Sequence, residues 1–281
     1  MTAQIGWIGG ERLHLNHGPI DVILKGWGDA QALAAGYRAV AARFPAILPE
    51  LCAELEALRQ PDAPVTGPVA RRMKAATDPF RPVFITPMAA VAGAVAEHVL
   101  SVFVRPGISR AYANNGGDIA LHLDPGESLT CAIAARRGMP DRLTLHHDDP
   151  VRGIATSGWR GRSHSLGIAD SVTVLARSAP MADAAATLIA NAVDLPGHPA
   201  ITRRPARDLA PDSDLGARLV TTDVGRLCPE EITTALNAGE TAARAFRAHG
   251  LVEAAAMFLH PEIRVLGTVP LAASLKEPAL V

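Results

Sequence analysis

The stretch Asn114–Leu121, "NNGGDIAL", sets two amides, two glycines and a carboxylate directly ahead of an apolar run. Glycine enters positive φ without the Cβ penalty, so a sharp chain reversal is expected at Gly116 and Gly117. The segments on either side, "ISRAYA" and "IALHL", alternate in polarity. Strand, turn, strand is therefore the local reading. These eight residues leave open whether the glycines serve the turn alone or also let a ligand approach the backbone.

Working outward, Leu13–Leu15 and Ile20–Leu24 alternate around "NHGP" and read as a second hairpin. Asp29 is placed to cap a helix ending at Phe44, before Pro45. A further helix opens at Pro49 and stops at Pro61. "VARRMKAA", with Arg71, Arg72 and Lys74, reads as a short helix with a solvated basic face. Thr86 and Pro87 suit the cap and first position of a helix whose "MAAVAGAVAEH" run is rich in small residues. Such residues allow close packing, on a sheet or against a ligand. Leu129–Ala135, Leu143–Leu145 and Ser171–Ala176 are strand candidates. Pro180 opens a helix that ends before Pro196. Residues 196–216 read as a long surface connection, Pro229–His249 as a helix, and Leu251–Leu266 as a short apolar element.

Strands and helices are mixed without a regular βαβ beat. The expected class is therefore α+β, with mixed sheets packed against helices in one domain over residues 1–281 or in two intimately packed lobes. The chain has 281 residues with 48% apolar and 4% aromatic content, enough for a large core. The net charge of −1 gives no electrostatic case for nucleic acid or an anionic membrane. Three cysteines, Cys52, Cys131 and Cys228, form no CxxC and are expected to be small buried apolar residues. No signal-like start and no eighteen-residue apolar run occur, so the expectation is a cytoplasmic protein. No GxGxxG follows a strand and no P-loop is present.

Three stretches could carry chemistry. In Gly153–Val174, Thr156, Ser157 and Gly158 offer hydroxyls and free amides, Arg160 and Arg162 flank Gly161, and His164 follows. Such a set suits a phosphate, with His164 as a general base, although an ordinary polar loop fits the spacing better. A Ser157–His164–Asp170 triad can be drawn but lacks a nucleophile elbow. In the helix at Pro180, Asp183 and Thr187 are four apart and share a face. The helix dipole alone accounts for an early carboxylate, yet two oxygen donors on one face also suit Mg²⁺. "HHDDP", His146–Pro150, reads as a surface turn.

"NNGGDI", "IATSG", "SH", "SVTV" and "ADAAAT" occur here in that order. The series resembles the ApbE-like superfamily of FAD:protein FMN transferases. "GPIDVIL", "VARRMK", "FITPMAAVAGAVAEHVL" and "YANNGGDIALHL" look closer still to an uncharacterised cytoplasmic branch of it, over roughly residues 11–195. The resemblance implies FAD in a cleft with Mg²⁺ on its pyrophosphate. It maps the metal ligands to Asp183, Thr187 and a backbone carbonyl around Val91, and the catalytic histidine to His164. It gives Gly116, Gly117 and Asp118 a place at the cofactor, with Thr156, Ser157, Gly158 and Arg160 lining the pocket. The acceptor would be a threonine of a partner protein, or water in a hydrolase.

Two departures stand beside this. Ala92–Gly93 replaces the lysine–glycine pair usual in active transferases, and His164 is not followed by aspartate–proline. A non-catalytic protein of the same fold, binding flavin or another phosphate-bearing ligand, is the alternative. A structural partner of another enzyme and a homo-oligomer also remain open.

Overall fold

Strict alternation of buried and half-exposed residues along 12–17 and 20–27 shapes the first long hairpin. It joins β2 (Arg12–His17) to β3 (Ile20–Gly28) in the computed structural model, which describes residues 2–136 and 139–268. An edge strand the periodicity did not announce, β1 (Gln4–Ile8), pairs outside them and is exposed along its whole length. After the helices α1 (Ala30–Ala53), α2 (Leu55–Leu58), α3 (Pro68–Thr77) and α4 (Val91–Phe103) come β4 (Ile108–Asn115) and β5 (Asp118–Leu123). Their turn is the quoted stretch. Gly116 and Gly117 have φ of +66° and +115°, and the Asn114 side chain accepts the Gly117 N–H at 2.8 Å.

The chain continues through β6 (Ser128–Arg136), β7 (Met139–His146), β8 (Gly153–Ser157), β9 (Ser171–Ala176) and α5 (Ala179–Ala192). It closes with β10 (Ile201–Pro205), α6 (Ala206–Leu209), β11 (Leu219–Val224), α7 (Pro229–Ala248), β12 (Ala254–Leu259) and β13 (Glu262–Leu266). Among the described residues nine strands form one sheet in the order β1-β2-β3-β4-β5-β8-β9-β12-β13, antiparallel in every ladder. The class is α+β, as expected.

Side-chain alternation sorts the two faces of this sheet. Ala111, Ala113, Ala120, Ala155, Val172 and Val174 face the core shared with α1, α4, α5 and α7. Leu121, Leu123, Ile154 and Leu175 point the other way, where the β6–β7 hairpin covers them with Leu129, Leu143 and Leu145. Ser171–Ala176 is buried from Val172 onward because both of its faces are covered.

Several expectations need correction. Pro45 and Pro49 do not divide the first helix; α1 runs through both. Its buried stripe, Gly36, Val40, Phe44, Ile47 and Leu51, keeps helical spacing across the prolines. Burial of that stripe outweighs the lost hydrogen bonds. The small-residue helix does not start at Pro87. Pro87–Ala90 is a 3-10 turn, and the chain breaks at Ala90 before α4 begins. Thr86 donates its hydroxyl to Asp214 instead of capping. Residues 196–216 contain β10 and α6, and β10 pairs with β11. Leu251–Leu266 is the β12–β13 hairpin. Cys52 and Cys228 are exposed, and Cys228 caps α7. Cys131 is half-buried, and burial pushes its thiol up to about 11.

Candidate functional site

Alternation along β5 decides where Asp118 points. Ala120 faces the helices, so Asp118, two residues earlier, faces them too. Its Oδ1 accepts the Thr156 N–H from β8 at 3.2 Å. Opposite stands α5. Its N-cap, Ser178, accepts the Met181 N–H, which starts the helix one residue before Pro180. Asp183 lies in the second turn, and Thr187 follows on the same face, partly buried.

Glycine brings the third wall in. A Cβ on Gly93 would lie 2.4 Å from the Ala179 carbonyl, and one on Gly153 would lie 2.2 Å from the Ser178 carbonyl. The first turns of α4 and α5 and the start of β8 therefore meet backbone to backbone. In that contact the Gly93 N–H donates to Asp183 Oδ2 at 3.0 Å, and the Ala92 N–H also faces this carboxylate. Asn115, buried at 7% exposure, fixes the same helix end from the sheet. Its Nδ2 donates to the Ala92 carbonyl at 3.1 Å, and its Oδ1 accepts the Asp21 N–H at 3.1 Å.

Two carboxyls thus converge in a poorly solvated place. Burial pushes Asp118 up to about 7, against the pull of the Thr156 N–H and the Arg162 guanidinium. Asp183 is held well above the ordinary carboxylate range, by burial first and by the Asp118 charge second. The N–H groups of Gly93 and Ala92 pull the other way. Like charges that feel each other in a dry site resist joint ionisation.

The donor set is oxygen from Asp118, Asp183 and Thr187, which fits a hard divalent cation such as Mg²⁺. Among the described residues no three His, Cys, Asp or Glu side chains gather as a cage. Mg²⁺ needs none, because it keeps several waters and shares its shell with substrate phosphates.

The other anticipated residues divide. Ser157 shares the helix-facing side of β8 with Ala155 and is partly buried. Thr156 contributes its N–H, but its hydroxyl lies on the opposite face, 2.8 Å from that of Thr173. Gly158 is required for packing, since a Cβ there would sit 2.4 Å from the Asp170 carbonyl. Arg160 turns away from Asp118: its Nε donates to Asp170 Oδ1 at 2.6 Å, and its guanidinium lies over Trp159. The arginine that faces Asp118 is Arg162. It reaches the Gly116 turn and donates to the Pro19 carbonyl at 3.3 Å. Val91 is the first residue of α4, and the groups turned on Asp183 are the N–H donors of the two residues after it.

His164 is exposed and makes no hydrogen bond among the described residues, whereas its neighbour Ser165 is buried. The Ser157–His164–Asp170 triad is not assembled, because Asp170 is bound to Arg160 and to the His260 N–H. "HHDDP" is a turn closed by the Asp149 side chain on the His146 N–H. The sequence reading missed Asn115 and the role of Arg162. The amide side chain at the end of "AYANN" and the second arginine of "RGR" were their only signals.

The junction of sheet and helix termini is thus an acidic oxygen-donor cluster in an antiparallel α+β fold. The chain belongs to the family described as AbpE bacteria, which matches residues 5–265. A UPF0280 protein of Methanothrix thermoacetophila is 39% identical over 137 residues, covering 47% of this chain and 56% of that one. One from Methanosarcina acetivorans is 36% identical over 138 residues, covering 48% and 53%. The chain therefore spans about half the length of the curated relatives it matches. The apo crystal structure of the Pseudomonas stutzeri flavinyl transferase ApbE is 14% identical, with a TM-score of 0.34, over 70% of this chain and 87% of that one. No residue of the carboxylate cluster is assigned by so loose a likeness. Among the described residues no helix is long and apolar enough to cross a membrane.

Proposed function

We propose that the protein binds FAD, or a related pyrophosphate, together with Mg²⁺ at the Asp118–Asp183 pocket, and that it cleaves the pyrophosphate or transfers its FMN half. One observation carries this reading. Two partly buried carboxyls stand close enough to feel each other's charge, each raised by burial and one also by the other's charge, so a divalent cation between them would relieve both.

Asp118 and Asp183 would hold the ion, with the Thr187 hydroxyl and the Val91 carbonyl as further donors. Bound there, Mg²⁺ would offset the charge that grows on the pyrophosphate oxygens. The Ala92 and Gly93 N–H groups keep the Asp183 carboxylate oriented. Arg162, at the mouth beside the Gly116 turn, offers a planar fork to a phosphate. Ser157 lines the wall next to Asp118. His164 would take the proton from the attacking hydroxyl, a role worth about 10²–10⁴-fold in rate. With a protein threonine as acceptor the products are the phosphoester-linked FMN and AMP. With water they are FMN and AMP.

A second reading keeps the binding without the chemistry. The exposed, unanchored His164 favours it, as do the missing lysine and aspartate–proline pair. Calorimetric titration of FAD with and without Mg²⁺, followed by an assay for AMP and FMN, separates the two. Mg²⁺-dependent binding that Asp183→Asn abolishes is expected. Product release lost in His164→Ala supports the enzyme, and binding without product supports the non-catalytic reading. Absence of FAD binding at any Mg²⁺ concentration refutes both.

A further inference from the structure

A hollow of about 420 Å³ lies between the β11–α7 connection, the end of β12 and the segment leading into β9. That volume falls in the range of small-molecule sites. We propose that it binds a small organic anion with an apolar body, such as an aromatic phosphate monoester or carboxylate, independently of the Asp118–Asp183 pocket.

Its floor is apolar, formed by Leu227, Ile232 and Leu259. Its polar side carries two guanidinium groups. Arg160 is held in place, stacked 4.4 Å over the Trp159 ring with its Nε on Asp170. Asp170 is occupied on both oxygens, by Arg160 and by the His260 N–H at 2.8 Å. Its charge is therefore already matched, and both terminal amino groups of Arg160 keep their donors. Arg226 makes no hydrogen bond or ion pair among the described residues. The adjacent carboxylate of Glu231 is committed elsewhere, to the Cys228 N–H and to His198. Two guanidinium forks beside an apolar floor match one anionic head and one hydrophobic body.

The hollow is remote from the carboxylate pair. Ile119 of β5 is paired with Ile154 of β8, which places Asp118 level with Ala155 and, one strand further, with Val174. Asp170 lies two strands across from Asp118 and four residues along. At about 4.8 Å per strand and 3.3 Å per residue, that is about 16 Å.

The test uses the whole protein and 1-naphthyl phosphate, followed by its own fluorescence. 1-Naphthol and inorganic phosphate serve as the separate halves. Saturable binding is expected, at least tenfold tighter than for either half. Arg226→Ala should weaken it about tenfold with an unchanged melting temperature, and Arg160→Lys should weaken it by less. Asp183→Asn, and FAD with Mg²⁺, should leave it unaltered. The proposal is overturned if binding does not saturate, if Arg226→Ala binds like the wild type, or if Asp183→Asn or FAD abolishes it. These arms do not depend on whether FAD itself binds.

Discussion

At the scale of single residues, a half-buried carboxyl and a buried histidine act on stability in opposite directions. The folded-state pKa of Asp118 is raised, so between the ordinary carboxylate value and about 7 the folded chain binds the extra proton. Stability from this group is present at low pH and is lost as pH rises through that window. Asp118→Asn should therefore stabilise the metal-free protein at pH 8. Asparagine can still accept the Thr156 N–H, and the carboxylate penalty is gone. The expected gain is on the order of 1 kcal/mol, a melting shift of about 2–4 °C, with Mg²⁺ binding lost. A lower melting temperature in calorimetry at pH 8 would contradict the dry-pair reading. His98 behaves in the reverse sense. It is 7% exposed and accepts from Arg43 Nε at 3.1 Å. Burial first, then the charges of Arg43 and Arg72, push it down to about 4. Below pH 6.5 the unfolded chain takes up a proton that the folded chain refuses, so stability falls as pH drops towards 4. The loss is on the order of 3 kcal/mol at 1.36 kcal/mol per pKa unit. Denaturation curves of His98→Gln from pH 7 to 4 should be flatter than the wild type by an appreciable part of that amount.

At the scale of elements, the site depends on how closely α4 and α5 approach. Gly93→Ala pits two effects against each other. Alanine improves helix propensity by about 1 kcal/mol. Its Cβ would sit 2.4 Å from the Ala179 carbonyl, a backbone atom that cannot swing aside, and such overpacking costs about 1–3 kcal/mol. The clash should win, giving a net loss of stability. The displaced helix end also carries the N–H groups away from Asp183, so Mg²⁺ affinity should fall with it. Calorimetric melting and a Mg²⁺ titration would check both. Unchanged Mg²⁺ affinity in a destabilised variant would mean that this helix end does not support the carboxylate. The same element shows why its boundaries were hard to read. Thr86–Pro87 has the local chemistry of a helix start, but Thr86 is drawn to Asp214, 128 residues away in sequence, and no local pattern encodes that partner. Pro45 likewise looks like a stop until the buried stripe on either side of it is seen packed.

At the scale of the whole molecule, the large sheet is protected unevenly. Its inner strand β9 is buried on both faces from Val172 to Ala176, whereas β1 is exposed at all five positions and, among the described residues, has a partner on one side only. Hydrogen exchange should free the β1 amides first and those of β9 last, with rates differing by at least about 100-fold. Protection of β1 equal to that of β9 in mass-spectrometric exchange would show that something covers this edge. The amino-acid sequence by itself determined the hairpin at Gly116–Gly117, the buried strand Ser171–Ala176, the shared face of Asp183 and Thr187, and the α+β class. Each of these follows from φ preference or from a period of 2 or 3.6, and those are local properties. Tertiary structure alone decided that Asp118 and Asp183 come together, that Arg162 faces Asp118 while Arg160 serves Asp170, and that the Thr156 hydroxyl lies behind the sheet. Those outcomes depend on which strands become neighbours and how closely two helix ends can pack, which bring together residues such as Gly93 and Asp183, 90 positions apart.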